Sequence, residues 1–245
     1  MDKGLLEMIF EDKFKNFKSL YVCVSGGVDS ALGLFLLAKH ITENNLNTKI
    51  TVFTAVEPQP EWSRNDKNVK KIISIISDMF PNVNIENHII KFLEGYTRPD
   101  ESVKPKLFPK VEAIKVIHKN NWENGDYDLG ISFQSSFPKL DELKKIPELY
   151  ERSLTVGPED RNWTGKKVDT ITGMWWQPFQ NMTKKDFANL YETHNLMSSL
   201  FPYTASCTGT SERTNNFTEP CRECFWCKEK YWAFNMYDYP EAYNL

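Results

Sequence analysis

Apolar positions change their period several times along the chain, and each change marks an element. Leu5, Ile9, Phe10, Phe14 and Phe17 recur at helical spacing, so residues 5–18 predict an amphipathic helix. Leu20–Val24 is a short β-branched and aromatic run and predicts a strand. A continuous apolar run from Ala31 to Ala38 predicts a buried helix from Ser30 to about Asn44. Lys49–Val56 predicts a second strand. Ser63 or Asn65 can cap a helix running to Phe80, and the alternation over Asn82–Ile90 predicts a third strand. A proline-containing loop separates this strand from a helix over Val111–Lys119, and Tyr127–Phe133 predicts a fourth strand. Further on, the pattern gives a helix over Leu140–Arg152, a short strand ending at Gly173, and a helix over Lys184–His194 capped by Thr183.

Strands alternating with helices predict an α/β fold, a doubly wound parallel sheet. The alternation ends near Trp176. We therefore expect an α/β domain over 1–176 and a helical C-terminal region over 177–245.

Composition narrows the classes. The chain has 245 residues, 40% hydrophobic and 26% charged, with a net charge of −3. This is the make-up of an ordinary globular protein. Charge of this sign gives no basic footprint for a nucleic-acid partner. No apolar run reaches bilayer length, and the N-terminal residues lack the apolar core of a secretory signal, so the expectations are no membrane and a cytoplasmic location. The histidines His40, His88, His118 and His194 have no paired metal spacing.

The first candidate chemistry lies between the first strand and the helix after it, in "VSGGVDS", Val24 to Ser30. Consecutive glycines let a backbone approach a ligand closely. A helix N-terminus directed at that turn offers unpaired N–H groups to an anion. Ser25 and Ser30 add hydroxyls. Asp29 suits a bare phosphate site badly. It fits if Mg²⁺ lies between it and the phosphates, or if it caps the helix. Neither G-x-x-x-x-G-K-[S/T] nor G-x-G-x-x-G occurs in the chain.

The second is a cysteine cluster. Cys207, Cys221, Cys224 and Cys227 are spaced C-x13-C-x2-C-x2-C. In a reducing compartment this reads as metal ligation before disulfides. Four thiolates surround one Zn²⁺ tetrahedrally and leave no place for water, which is a structural site. An iron–sulfur cluster is the alternative four-cysteine occupant. The fifth cysteine, Cys23, reads as a small buried hydrophobe.

"SGGVDS" resembles the pyrophosphate loop of the N-type ATP pyrophosphatases, enzymes that cleave ATP between its α- and β-phosphates. That resemblance implies ATP binding by Val24, Ser25, Gly26, Gly27, Val28, Asp29 and Ser30, with adenine near Thr54 and Ala55 at the end of the second strand. "YTASC…PCRECFWCKEKYWAF" is similar to the zinc segment of the 7-cyano-7-deazaguanine synthase family, and "QPFQNMTKKDFANLYETHNL" resembles the helix entry that precedes it there. The likeness covers residues 20–40 and 177–234. Between them the family's substrate-pocket stretch has no counterpart, and Arg222 stands where the family has glycine.

What the second resemblance implies is an ATP-dependent ligase. It would take a 7-deazapurine carboxylate and ammonia to a nitrile, with ATP and Mg²⁺, a structural Zn²⁺, and a homodimer as the common assembly. Asp29, Ser30 and Lys184 would be its catalytic residues, Lys184 contacting pyrophosphate or, alternatively, standing as a solvated lysine. Trp175, Trp176 and Phe179 either offer an aromatic face to a planar substrate or pack the core. Arg161 either binds an anionic group or forms a surface salt bridge. Two other readings stand beside this one: an enzyme of the same chemistry acting on a different carboxylate or base, and a non-catalytic nucleotide- and zinc-binding protein.

Overall fold

The computed structural model describes residues 17–56, 63–92, 128–136, 138, 140–146, 175–179, 181–209 and 212–245. In chain order these residues form β1 (Ser19–Cys23), α1 (Val28–Glu43), β2 (Lys49–Val56), α2 (Ser63–Met79) and β3 (Ile85–Phe92). They continue with β4 (Asp128–Ser132), a single helical turn α3 (Leu140–Leu143), β5 (Trp175–Trp176), α4 (Lys184–Thr193) and α5 (Phe225–Phe234). Short 3-10 turns cover Phe201–Tyr203 and Pro240–Ala242.

The strands make one five-stranded sheet in the order β3-β2-β1-β4-β5. Every pairing in it is parallel. This is the α/β parallel sheet that the alternating pattern predicts. Parallel strands are normally covered on both faces, which is why β1 and β2 read as continuous apolar runs. Leu20, Val22, Ile50, Val52, Leu129 and Ile131 join Leu32 and Leu36 of α1, Val69 and Ile72 of α2, and Phe187 and Tyr191 of α4 in one core.

Helix α1 is the centre of that core. Every residue from Ser30 to Ala38 is buried, so "SALGLFLLA" lacks a polar stripe, the mark of a helix enclosed on all sides. Each fully buried leucine there contributes roughly 1.5–3 kcal/mol. Gly33 is required by contact: a Cβ at that position would lie 2.0 Å from the Phe133 ring.

Element ends differ from the sequence expectations in instructive ways. α1 begins at Val28, because Gly27 is its N-cap in extended conformation. β3 begins at Ile85, because Pro81–Val83 forms a turn. A two-residue strand covers Trp175–Trp176, while the expected strand ending at Gly173 lies outside the described residues. Cys23 is half-buried, not enclosed, as the last residue of β1 beside the loop. The helix expected over Leu140–Arg152 stops at Leu143, where Lys145 and Ile146 donate back three residues to Glu142 O and Leu143 O and close a turn; residues 147–152 lie outside the described residues. So do the expected helices over 5–18 (apart from Phe17 and Lys18, which are not helical) and 111–119, and Arg161. Among the described residues no helix is long and apolar enough to cross a membrane.

Candidate functional site

The strand order reverses at β1: the chain moves outward through β2 and β3, then crosses to β4 on the other side. In open parallel sheets ligands bind outside the carboxyl ends of the strands at such a switch point. The two segments that leave the sheet there are Val24–Gly27 after β1 and Phe133–Ser136 after β4.

The first of these is the glycine loop. Gly26 has φ 81°, a conformation that favours glycine. Within the turn, the Ser25 N–H donates to Ser30 Oγ at 3.2 Å, and Ser30 Oγ–H donates to Gly27 O at 3.2 Å. The two serine hydroxyls are 3.3 Å apart. Thr54, on β2, donates its hydroxyl to Val24 O at 2.9 Å, which ties the second strand to the loop. Ala55, the next residue of β2, pairs in register with Lys91 of β3. The loop is also held from the C-terminal region, where the Ala205 N–H donates to Gly26 O at 2.9 Å and Tyr191 OH donates to Val28 O at 3.0 Å.

Asp29 does not cap α1, whose N-cap is Gly27. Its Oδ2 accepts from the Ser135 N–H at 2.9 Å and the Ser135 hydroxyl at 2.7 Å, and its Oδ1 accepts from Lys184 Nζ at 2.9 Å. The carboxylate therefore bridges the β1 loop, the β4 loop and α4. Oδ1 accepts from Lys184 and has a second lone pair that a magnesium ion could take once nucleotide is bound.

Lys184 is the first residue of α4. The helix entry is set by Asp186, whose carboxylate accepts from the Thr183 N–H at 2.7 Å and its hydroxyl at 2.8 Å. Such a cap is worth about 1 kcal/mol. It also fixes where the lysine leaves the backbone. The side chain is 4% exposed, so the solvated-surface alternative does not describe it. Besides Asp29 it pairs with Glu229 of α5, Nζ to Oε2 at 3.1 Å, and lies 5.7 Å from the centre of the Trp226 ring.

Of the aromatic candidates, Trp176 is 3% exposed and belongs to the main core. Phe179 is enclosed between the rings of Phe133 and Phe187. Both follow the core-packing alternative. Trp175 pairs in register with Gly130 of β4.

The four cysteines converge as their spacing implied. Cys207, Cys221, Cys224 and Cys227 are all buried, and their sulfurs lie within 4.8 Å of one another. A tetrahedral ion with Zn–S bonds of about 2.3 Å places its sulfurs about 3.8 Å apart. The group is thus the right size for a single ion. Backbone N–H groups already point at the sulfurs: Gly209 and Cys221 donate to Cys207 Sγ at 3.3 and 3.2 Å, and Cys224 donates to Cys221 Sγ at 3.3 Å.

The thiols titrate as a crowd. Hydrogen bonds from Cys224 and Cys227 hold Cys207 down at about 4. Cys224, opposed by Cys207 but supported by Cys221 and Cys227, is lowered to about 7. Its bond with Cys224, then burial, pushes Cys221 up to about 12. Cys207 and Cys224 push Cys227 far above the usual thiol range. Four neighbouring sulfurs cannot all ionise without a cation among them, and a buried four-cysteine group of this kind can bind a metal.

No protein-family model matches the chain, and no curated protein matches it. Among solved structures it is similar to U34-tRNA thiolase NcsA from Methanococcus maripaludis with its 4Fe-4S cluster. That pair has 17% identity and a TM-score of 0.46, over 87% of this chain and 69% of that one. It is also similar to NMN synthetase from Francisella tularensis, with 10% identity and a TM-score of 0.44, over 95% of this chain and 91% of that one. Likeness at that level carries no chemistry across.

The site includes several residues that sequence reasoning passed over. Lys230 is fully buried and pairs with Asp238 at 2.6 Å, while also donating to Thr204 O and Oγ1 at 3.1 Å each. Asp238 Oδ2 accepts from the N–H groups of Ser206 and Cys207 at 2.9 and 3.0 Å and from Tyr243 OH at 2.8 Å. Burial pulls the Lys230 ammonium below its usual range. Burial works the other way on Asp238, but the Lys230 charge and these donors outweigh it and keep the carboxyl low. Asp238 thus pins the backbone of one cysteine, and α5 carries another, Cys227, one turn before Lys230. Ser135 and Asp238 lie in no motif, and Glu229 and Lys230 lie in the cysteine segment, whose spacing does not single them out. Only burial distinguishes them from surface charges and loop hydroxyls.

Proposed function

We propose that this protein is an adenylating enzyme of the N-type ATP pyrophosphatase kind. The observation that carries the reading is a Ser-Gly-Gly turn at the sheet's switch point with a buried lysine, Lys184, reaching its first helical turn. In this reading the N–H groups of Gly26, Gly27 and Val28 and the N-terminus of α1 cradle the β- and γ-phosphates. Ser25, exposed at the loop tip, and Ser30 add hydroxyl contacts. Adenine lies at the end of β2 by Thr54 and Ala55. Lys184 balances negative charge that grows on pyrophosphate as it leaves. Positioning and electrostatics of this kind are what phosphate transfer asks of a protein.

The finer reading is the one the zinc-segment resemblance supports. A 7-deazapurine carboxylate attacks the α-phosphorus of ATP, giving an acyl-adenylate and releasing pyrophosphate. Ammonia displaces AMP, loses a proton, and leaves the amide. The amide oxygen is adenylated by a second ATP, again releasing pyrophosphate. Loss of AMP and a proton then yields the nitrile. Cys207, Cys221, Cys224 and Cys227 would hold Zn²⁺, whose contribution is to cross-link the segment and not to react. The sulfur spacing supports one ion over a cluster, which would need its own volume between the four sulfurs.

One observation favours a second reading, adenylation of a different carboxylate. Trp176 and Phe179 are packed into the core, so two of the three aromatic candidates are not presented to a planar substrate. Product analysis separates the readings. Metal-loaded protein is mixed with ATP, magnesium, ammonium and 7-carboxy-7-deazaguanine. AMP, pyrophosphate and the nitrile are expected. Turnover only with another acid selects the second reading, and ATP binding without turnover on any acid tried overturns both.

A further inference from the structure

We propose that Glu229 is a positioning residue for Lys184, so that α5 aims the lysine at the glycine loop. This rests on the adenylation reading above. A glutamate with 0% side-chain exposure is a rare residue, and burying its charge is expensive unless a partner repays it. One charged partner is Lys184, whose Nζ lies within ion-pair range of Oε2, at 3.1 Å.

The lysine needs such help. Its stem is long, and a lysine side chain brings rotamer entropy that must be overcome to hold one geometry. The capped entry of α4 sets only the Cα. Asp29, at 2.9 Å, supplies one anchor, but Asp29 sits in the first turn of α1 directly after the loop, where a phosphate would compete for the ammonium. Glu229 comes from a different element and approaches from the C-terminal segment. It can therefore keep Nζ in place while the contact with Asp29 is exchanged for one with pyrophosphate. The rest of α5 is built for rigidity: Cys227 belongs to the four-sulfur group, and Lys230 is locked to Asp238 at 2.6 Å. Lys184 also faces the Trp226 ring from the same helix.

The test compares wild type, E229Q, K184M and the double variant, each checked for bound metal and melting temperature. The readout is acid-dependent pyrophosphate release, with kcat and KM for ATP resolved. E229Q keeps the shape and one acceptor oxygen but loses the charge. It is expected to lower kcat by about tenfold or more, inside the roughly hundredfold that a misplaced group can cost, with KM for ATP changed much less. Because Glu229 acts through Lys184, adding E229Q to K184M is expected to cost nothing further. E229Q turning over like wild type overturns the proposal. So does a double variant whose losses multiply, which assigns Glu229 a role independent of the lysine. If E229Q alone does not fold, the K184M pair still decides, since removing the lysine charge removes the need for its partner. Wild type that holds metal and binds no ATP fails differently: it overturns the adenylation reading, and this proposal with it.

Discussion

Single residues in this chain show what a motif can and cannot tell. Ser25, Gly26 and Gly27 were legible because a left-handed glycine and a helix N-cap are local requirements, written in adjacent residues. Asp29 was legible as an anomaly only. Its explanation is Lys184, more than 150 positions away, with Ser135 from a third segment. Arg222 reverses the case. The resemblance marked it as a departure from glycine, and the structure gives it φ 61°, the left-handed geometry a glycine adopts without strain. Among the described residues its side chain has an exposed contact with Glu219 at 3.8 Å and a place 5.7 Å from the Tyr237 ring. R222G should therefore stabilise the protein, by about 0.5–1 kcal/mol net of the entropy glycine adds to the unfolded chain. Denaturant unfolding of metal-loaded protein measures this. A lower midpoint at unchanged slope would mean that the Arg222 contacts outweigh the backbone strain.

Among the elements, those with a strong period were readable and those governed by distant partners were not. β2 has the predicted bounds because eight consecutive residues fit a buried parallel strand. α1 was readable from its apolar run, and its glycine carries a sharp prediction. G33A puts a methyl group into the Phe133 ring, so it should cost about 1–3 kcal/mol by overpacking, read as a drop in melting temperature. No drop would show that Phe133 moves aside freely. α5 misled most. "FWCKEKYWAF" suggests charges facing water, yet Glu229 and Lys230 are buried while Tyr231 is exposed. The inversion follows from ion pairs with Lys184 and Asp238, which no periodicity encodes.

The cysteine group makes a prediction about protons at this same scale. At pH 8 Cys207 and Cys224, lowered to about 4 and about 7, are ionised in the metal-free protein. Cys221, raised to about 12, and Cys227, raised further, still hold their protons. Zn²⁺ binds thiolates, so it must displace those protons. Uptake at pH 8 should release about two protons, and affinity should rise with pH across the neutral range. Calorimetry in buffers of different ionisation enthalpy counts them. Release near zero would contradict binding to all four sulfurs.

Across the whole molecule, the glycine loop and the cysteine group turn out to be one structure. Lys184, Tyr191 and Ala205 reach the loop from the C-terminal region, and Asp238 with α5 fastens that region to the cysteines. The sequence placed both sites but gave no hint that they share supports, because each link is a side chain meeting a backbone far along the chain. Damage at one site should then be felt at the other. C227S, which removes a metal ligand on α5, should weaken ATP binding even though it touches no nucleotide contact, as isothermal titration would record. Unaltered ATP affinity in metal-free protein would separate the two sites.

The claim on which the rest depends is that the loop presides over reversible cleavage of ATP between its α- and β-phosphates. Exchange of radiolabelled pyrophosphate into ATP tests it most directly, with 7-carboxy-7-deazaguanine and other planar acids supplied in turn and ammonia withheld. Label should enter ATP only when the accepted acid is present, and K184M should slow the exchange well below the wild-type rate while leaving it measurable. Cleavage to ADP and phosphate, or bound ATP that takes up no label with any acid, would contradict the account.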